Sequence, residues 1–116
     1  MQLSYRTPIW FYPEPVDFRK QIDGLVILVA DQLSLNPTSG ELFIFRDRSG
    51  KKVKLLWYDR HGFWLCYKRL ERGRLKFPHP SDPVLELNRD QLSWLLSGLD
   101  ITQPPTLPTI TAQHFF

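Results

Sequence analysis

Lysine and arginine side chains are concentrated in one stretch of this chain, and the chemistry they offer is the binding of a polyanion. Residues 46–76 hold eleven of the fifteen Lys and Arg residues and three of the twelve acids, a net charge of +8, whereas the rest of the chain carries −5. A cationic block in an otherwise acidic chain favours a phosphate-bearing partner, most often nucleic acid. The sequence leaves open a solvated charged surface as the alternative.

Eight of these cations are the candidate DNA contacts, because they lie on predicted strands or beside a predicted tight turn: Arg46, Lys52, Lys54, Lys68, Arg69, Arg72, Arg74 and Lys76. Gly73 can supply the positive φ that such a turn needs. A turn that directs guanidinium groups outward is suited to clamping a nucleic-acid backbone. The same run is equally open to interpretation as a solvated hairpin tip in which Glu71 pairs with an arginine.

Aromatic residues alternate with the cations on the same predicted strands and offer a second mode of binding. Trp57, Tyr58, Trp64 and Tyr67 are able to stack on unpaired bases while lysine and arginine neutralise phosphates. A small sheet must bury its large side chains to be stable, so we favour core packing over base stacking for these four residues.

Catalytic or metal-binding groups are not brought together by any pattern in the sequence. His61 lies two residues from Asp59, but a closed zinc site needs four ligands, so we predict no metal and no other cofactor. No Walker loop, CxxC pair or Ser/His/Asp order is present, and the acids are scattered rather than grouped for Mg²⁺. We predict that the protein is not an enzyme; a nuclease whose catalytic set assembles only in the fold is the weaker alternative.

Two helices and several strands must position the cations. Apolar spacing predicts a helix that begins with Asp17 as its N-cap and ends before Asn36-Pro37. Asn88 and Gln91 predict a capping box at the start of a second helix. A short strand is predicted at 9–12 and a last one at 84–87, and short Gly-containing loops divide the period-two stretch between them into strands at 42–46, 52–58, 63–68 and 74–77.

These elements predict an α+β fold: a twisted antiparallel sheet, a meander of about four to six strands, with two helices on one face. We expect a single domain over residues 1–101, followed by a flexible Thr/Pro-rich tail at 102–116. An exposed edge strand is able to pair with a second copy, so the sequence leaves the oligomeric state open.

The cellular compartment is predicted from the lack of a membrane-spanning apolar run and of a second cysteine. The longest apolar run, residues 25–30, is far shorter than the roughly 20 residues that span a bilayer. The single cysteine, Cys66, cannot form an internal disulfide, which is typical of a reducing compartment. We therefore expect a cytoplasmic protein that does not bind a membrane.

An ordered series of motifs resembles a known bacterial family. These motifs are DFRKQIDGL at 17–25, SGELFIF at 39–45, VKLLWYD at 53–59, GFWLCYKRLERG at 62–73 and the following FP at 77–78. Over about residues 9–100 the chain resembles the small accessory protein of the insertion-sequence-sixty-six transposons, the TnpB or Orf-two-like family. That family is unrelated to the RNA-guided nuclease that shares the TnpB name.

The resemblance implies a role in transposition, in which the protein assists a separate and larger transposase of the same element. It supplies no catalytic residues to carry across. Our first hypothesis is a non-catalytic accessory protein that binds DNA through a basic sheet face and hairpin turn. The second is a protein–protein adaptor that holds the transposase or another accessory protein of the element without contacting DNA.

Overall fold

Five strands form one sheet, and two helices pack on it, in the residues that the computed structural model describes, 6–77 and 83–97. The elements in chain order are β1 (Ile9–Pro15), α1 (Ile22–Gln32), β2 (Leu42–Arg46), β3 (Lys52–Asp59), β4 (Gly62–Arg69), β5 (Leu85–Leu87) and α2 (Arg89–Leu96). The strands lie side by side in the order β4-β3-β2-β1-β5. The predicted α+β class is confirmed. Within the described residues, neither helix is long and apolar enough to cross a membrane.

The sheet is mixed rather than wholly antiparallel. Strands β2, β3 and β4 form an antiparallel meander, and β5 pairs antiparallel with β1. The exception is β1, which runs parallel to β2 with Ile9 opposite Leu42. Parallel neighbours need a long crossover connection, and α1 lies in the one that joins these two strands.

The helices lie on opposite faces of the sheet, not on one face as predicted. Leu25 and Val29 of α1 pack with Phe43 and other residues of one face, whereas Trp94 and Leu95 of α2 pack with the residues of the other. The cause is β2, in which residues 42–45 are all buried. A strand that is apolar on both sides requires cover on both faces.

The first helix begins later than its predicted start. Its N-cap is Gln21, and Asp17 instead organises the preceding turn, where its carboxylate accepts the Arg19 N–H at 2.9 Å. In α2 the predicted capping box is present: the Asn88 side chain accepts the Gln91 N–H at 2.8 Å, and the Gln91 side chain accepts the Asn88 N–H at 2.9 Å.

The strand predicted at 74–77 is an irregular segment. Leu75 is buried in the core under α2, and the ring of Phe77 stacks on that of Phe11 with a centroid distance of 5.2 Å. Gly73 adopts the expected positive φ, 71°. The period-two pattern arises because Leu75 and Phe77 pack into the same face of the fold, although this segment pairs with no strand of the described residues. The tail predicted at 102–116 lies outside the described residues.

Candidate nucleic-acid interface

Cations at the start of β3 and at the end of β4 lie together at one end of the sheet. The register places Lys52, at the start of β3, opposite Arg69, at the end of β4. Beyond that pair the Leu70 N–H donates to the carbonyl of Lys51 at 2.7 Å, so the two chains stay together past the strand ends.

The segment after β4 then folds back against the turn before β3. The Leu75 N–H donates to the carbonyl of Gly50 at 2.6 Å. Gly50 has a φ of 76°, and a Cβ at this glycine would lie 3.8 Å from the Cβ of Arg74. Cations from two stretches of the chain, 48–52 and 69–74, therefore lie on one surface, which we call the basic end: Arg48, Lys51, Lys52, Arg69, Arg72 and Arg74.

Few acids balance the basic end, and both of those nearby are engaged. One oxygen of Asp47 accepts the Gly50 and Lys52 N–H groups at 3.2 Å each, and the other accepts the Ser49 hydroxyl at 2.7 Å. Glu71 pairs with Arg69 at 2.9 Å, with both side chains exposed. Within the described part of the chain, the other five cations of the basic end have no ion pair.

Four of the eight predicted contacts, Lys52, Arg69, Arg72 and Arg74, belong to the basic end. Lys76 is exposed on the same irregular segment, next to the buried Leu75. Lys68 points to the other face of the sheet, where its ammonium donates to the carbonyl of Leu96 at 2.6 Å. The prediction missed Arg48 and Lys51, although the turn that carries them was recognisable from Arg48-Ser49-Gly50.

The two remaining predicted contacts do not fit the interface: Lys54 is buried, and Arg46 is half-buried with its guanidinium bonded within the fold. Lys54 is 4% exposed, and its ammonium donates to the carbonyls of Phe18 at 2.9 Å and Lys20 at 2.8 Å. Arg46 donates to the carbonyl of Pro13 at 2.8 Å, and its guanidinium lies over the Phe77 ring. The hypothesis of a basic sheet face was wrong at Lys54, because α1 and the turn before it cover that side of β3.

A groove of about 630 Å³ adjoins the basic end. Arg48 and Lys52 lie on its wall, together with the buried Lys54, whose pKa is lowered by burial. The other lining residues are Val16, Asp17, Phe18, Arg19, Gln21, Asp47, Leu65 and Tyr67. Four cations against two acids make this groove a suitable place for an anionic group.

The groove wall also carries an exposed ion pair, in which Arg19 and Asp17 lie 2.6 Å apart. Hydrogen bonds from the Arg19 side chain and backbone lower the pKa of Asp17 from 3.8 to about 2. A carboxyl whose pKa is lower in the folded state stabilises the fold above its unfolded pKa, and that contribution is lost as the pH falls toward the folded value.

We expect the side-chain carboxyl of Asp17 to titrate at about 2 when followed by NMR. In the variant Arg19→Gln its pKa should rise toward 3.8, because the charged hydrogen-bond donor is lost. Lys20→Gln is the neighbouring control and should change this pKa far less. An Asp17 pKa that is the same in wild type and Arg19→Gln would contradict the pairing.

The aromatic residues do not form one stacking surface. Trp57 is buried and stacks on Trp64 with a centroid distance of 6.0 Å, as the preference for core packing predicts. The preference for core packing was wrong for Trp64 and Tyr67, which are 56% and 55% exposed. An odd number of positions separates these two residues on β4, so they lie on opposite faces of the sheet. In the described ranges, no three His, Cys, Asp or Glu side chains are grouped to hold a metal ion.

The fold and the basic end define a small α+β protein that presents one cationic surface at the end of its sheet. The chain belongs to the family described as IS66 Orf2 like protein, which matches residues 7–106. The resemblance drawn from the sequence motifs is thereby confirmed. Membership of this family supports an accessory role in the transposition of an insertion sequence, and the family is not a known catalytic one.

Two relatives come from Sinorhizobium fredii (strain NBRC 101917 / NGR234). The chain is 40% identical over 96 residues to the uncharacterized protein y4hO, an alignment that covers 83% of this chain and 84% of y4hO. It is 36% identical over 95 residues to the uncharacterized protein y4jC, covering 82% of this chain and 81% of y4jC. No solved structure shows a significant match to the chain.

Proposed function

We propose that this protein is a non-catalytic, DNA-binding accessory factor of transposition, and that the basic end contacts the phosphate backbone. The observation that carries the proposal is the convergence of six cations on one surface where the two neighbouring acids are already engaged. Unpaired lysine and arginine side chains at turns neutralise phosphates and release counterions, which gives affinity without reading base sequence.

The proposal is tested by the affinity for a fluorescent duplex, and for the matching single strand, over a series of salt concentrations. Arg72→Gln/Arg74→Gln removes two exposed cations from the basic end. We expect the affinity to fall by on the order of tenfold at moderate salt, equally for all sequences. The slope of log affinity against log salt should become shallower by about 1.8, since each phosphate contact contributes about 0.9.

Lys20→Gln/Arg60→Asn is the matched control, because it removes two exposed charges outside the basic end. Arg60 lies in the loop between β3 and β4 with a φ of 58°, a conformation that asparagine tolerates well. This control should leave the affinity and the salt slope close to those of the wild type. Equal losses in both double variants, or no binding even at low salt, would contradict the role of the basic end.

A protein–protein adaptor for the transposase complex is the second candidate, and the exposed Trp64 and Tyr67 on β4 favour it. In that case, capture by the transposase should survive high salt and nuclease treatment. It should also be weakened by Trp64→Ala and not by Arg72→Gln/Arg74→Gln, because apolar contacts, unlike phosphate contacts, are insensitive to salt.

A further inference from the structure

Strand β4 lies at an edge of the sheet in the described part of the chain. It pairs with β3 on one side, and no strand lies on its other side among residues 6–77 and 83–97. Six of its eight residues are exposed and the other two are half-buried. An edge of this length presents a row of backbone donors and acceptors to any strand of matching register.

The β3–β4 hairpin determines which backbone groups point outward. Its two-residue loop makes Asp59 and Gly62 a hydrogen-bonded pair, and such pairs alternate along an antiparallel ladder. The bond from the Leu70 N–H to the Lys51 carbonyl fits the same alternation. The groups that point away from β3 therefore belong to Phe63, Leu65, Tyr67 and Arg69.

We propose that β4 pairs antiparallel with β4 of a second copy of this chain, about a twofold axis through Cys66, so that two five-stranded sheets become one. An axis perpendicular to the sheet keeps the faces of both copies aligned. In this register Phe63 faces Arg69 of the second copy, and Leu65 faces Tyr67. All four outward-pointing residues are then paired with one another, whereas a register centred on Leu65 or Tyr67 leaves some of them without a partner.

The side chains of β4 are self-complementary, and this favours a second copy as the occupant. The aromatic residues Phe63 and Trp64 lie in its first half, and the cations Lys68 and Arg69 lie at its end. Antiparallel pairing about Cys66 places Lys68 opposite Trp64 and Arg69 opposite Phe63, so each cation faces an aromatic ring. The two copies of Lys68 are kept apart, which avoids the repulsion of like charges directly across the strands.

This pairing does not depend on DNA binding. Five of the six residues of the basic end lie outside β4; the exception is Arg69, at its last position. In the twofold arrangement, the basic ends of the two copies lie at opposite ends of the joined strands. A dimer would therefore leave both basic ends accessible, and failure of one proposal would leave the other standing.

Sedimentation equilibrium across micromolar concentrations tests the pairing. We expect wild-type protein to dimerise and Tyr67→Pro to be monomeric, because proline removes an outward N–H without removing a bond to β3. Tyr67→Ala is the matched control: it loses the same side-chain contacts and keeps the N–H, so it should still dimerise. A wild type that is monomeric at every concentration, or a dimer that persists unchanged in Tyr67→Pro, would overturn the proposal.

Cross-linking tests the register even if the proline variant does not fold. Directly opposed residues in a non-hydrogen-bonded pair have Cα atoms about 4.5 Å apart, within the range of roughly 4.4–6.8 Å that a disulfide allows. Oxidation by copper phenanthroline, which takes two electrons from the two thiols, should therefore link wild-type copies through Cys66. The exposure of this thiol in the described fold permits the reaction.

The register between the two β4 strands is tested by placing a cysteine at other positions in a Cys66→Ser background. Trp64→Cys alone and Lys68→Cys alone should each fail to cross-link, whereas an equal mixture of the two should form the heterodimer. Cross-linking of either variant with itself, or none in the mixture, would refute the register. A monomer in which the outward N–H groups of β4 resist hydrogen exchange would show that another segment of the same chain covers the edge, and would overturn the proposal as well.

Discussion

Replacing Lys54 by alanine is expected to lower the free energy of unfolding by about 2–3 kcal/mol, a larger effect than removal of any exposed cation. The ammonium of Lys54 donates to the carbonyls of Phe18 and Lys20 and lies 4.8 Å from the centre of the Phe18 ring. A hydrogen bond to a charged group contributes roughly 1.5–3 kcal/mol, and the cost of burying the charge offsets part of the two bonds. Lys54 thus fixes the turn before α1 to strand β3.

Chemical denaturation of Lys54→Ala measures this loss, and Lys52→Ala is its control. Lys52 lies on the same strand and on the same side of it, but it is half-buried and belongs to the basic end. Its removal should change the free energy of unfolding by no more than about 0.5 kcal/mol. Similar values for the two variants would mean that the bonds from Lys54 to the turn contribute little.

The pH dependence of stability distinguishes the charge of Lys54 from its packing. Burial lowers the pKa of Lys54 below its ordinary value of 10.5. Between the folded and unfolded pKa values the unfolded chain binds more protons, so this group makes the free energy of unfolding rise with pH in that window. Lys54→Met keeps most of the side-chain length and removes this dependence. The free energy of unfolding of the wild type minus that of Lys54→Met should therefore increase as the pH approaches 10.5 from below.

The elements with strong local signals are the ones that the sequence predicts well. The bounds of β2, Leu42–Arg46, coincide with the predicted strand, and the capping box at Asn88 and Gln91 forms as expected. Both depend on residues within a few positions of one another. Side-chain alternation identifies a strand but not its neighbour, so the parallel pairing of β1 with β2 could not be predicted in the same way.

The basic end was predictable in composition and not in arrangement. Charge counting identified the stretch that holds its six residues, because charge is additive along a chain. The contact between Gly50 and Leu75 and the burial of Lys54 depend on groups that lie more than twenty positions away in the sequence. Lysine is rarely buried, so the pattern of β3 alone predicts an exposed side chain at position 54.

Leu75→Ala is expected to lower the free energy of unfolding by about 2–4 kcal/mol, because it leaves a cavity in the core under α2. Leu75 is 5% exposed, and its N–H holds the irregular segment against the turn at Gly50. Lys76→Ala, at the exposed neighbouring position, should stay within about 0.5 kcal/mol of wild type. Thermal unfolding of the two variants measures the difference, and equal stabilities would contradict the anchoring role of Leu75.

Leu75→Ala also tests whether Arg72 and Arg74 contribute to DNA binding only when their segment is held in place. Arg72 and Arg74 lie on the segment that Leu75 anchors, whereas Arg48 and Lys51 lie on the turn before β3. At a temperature where Leu75→Ala remains folded, loosening of this segment should weaken DNA binding about as much as Arg72→Gln/Arg74→Gln does. If Leu75→Ala binds DNA as tightly as wild type while both arginines prove necessary, the segment need not be held in place before DNA binds. If neither change reduces affinity, the phosphate contacts must come from the four cations that remain in the basic end: Arg48, Lys51, Lys52 and Arg69.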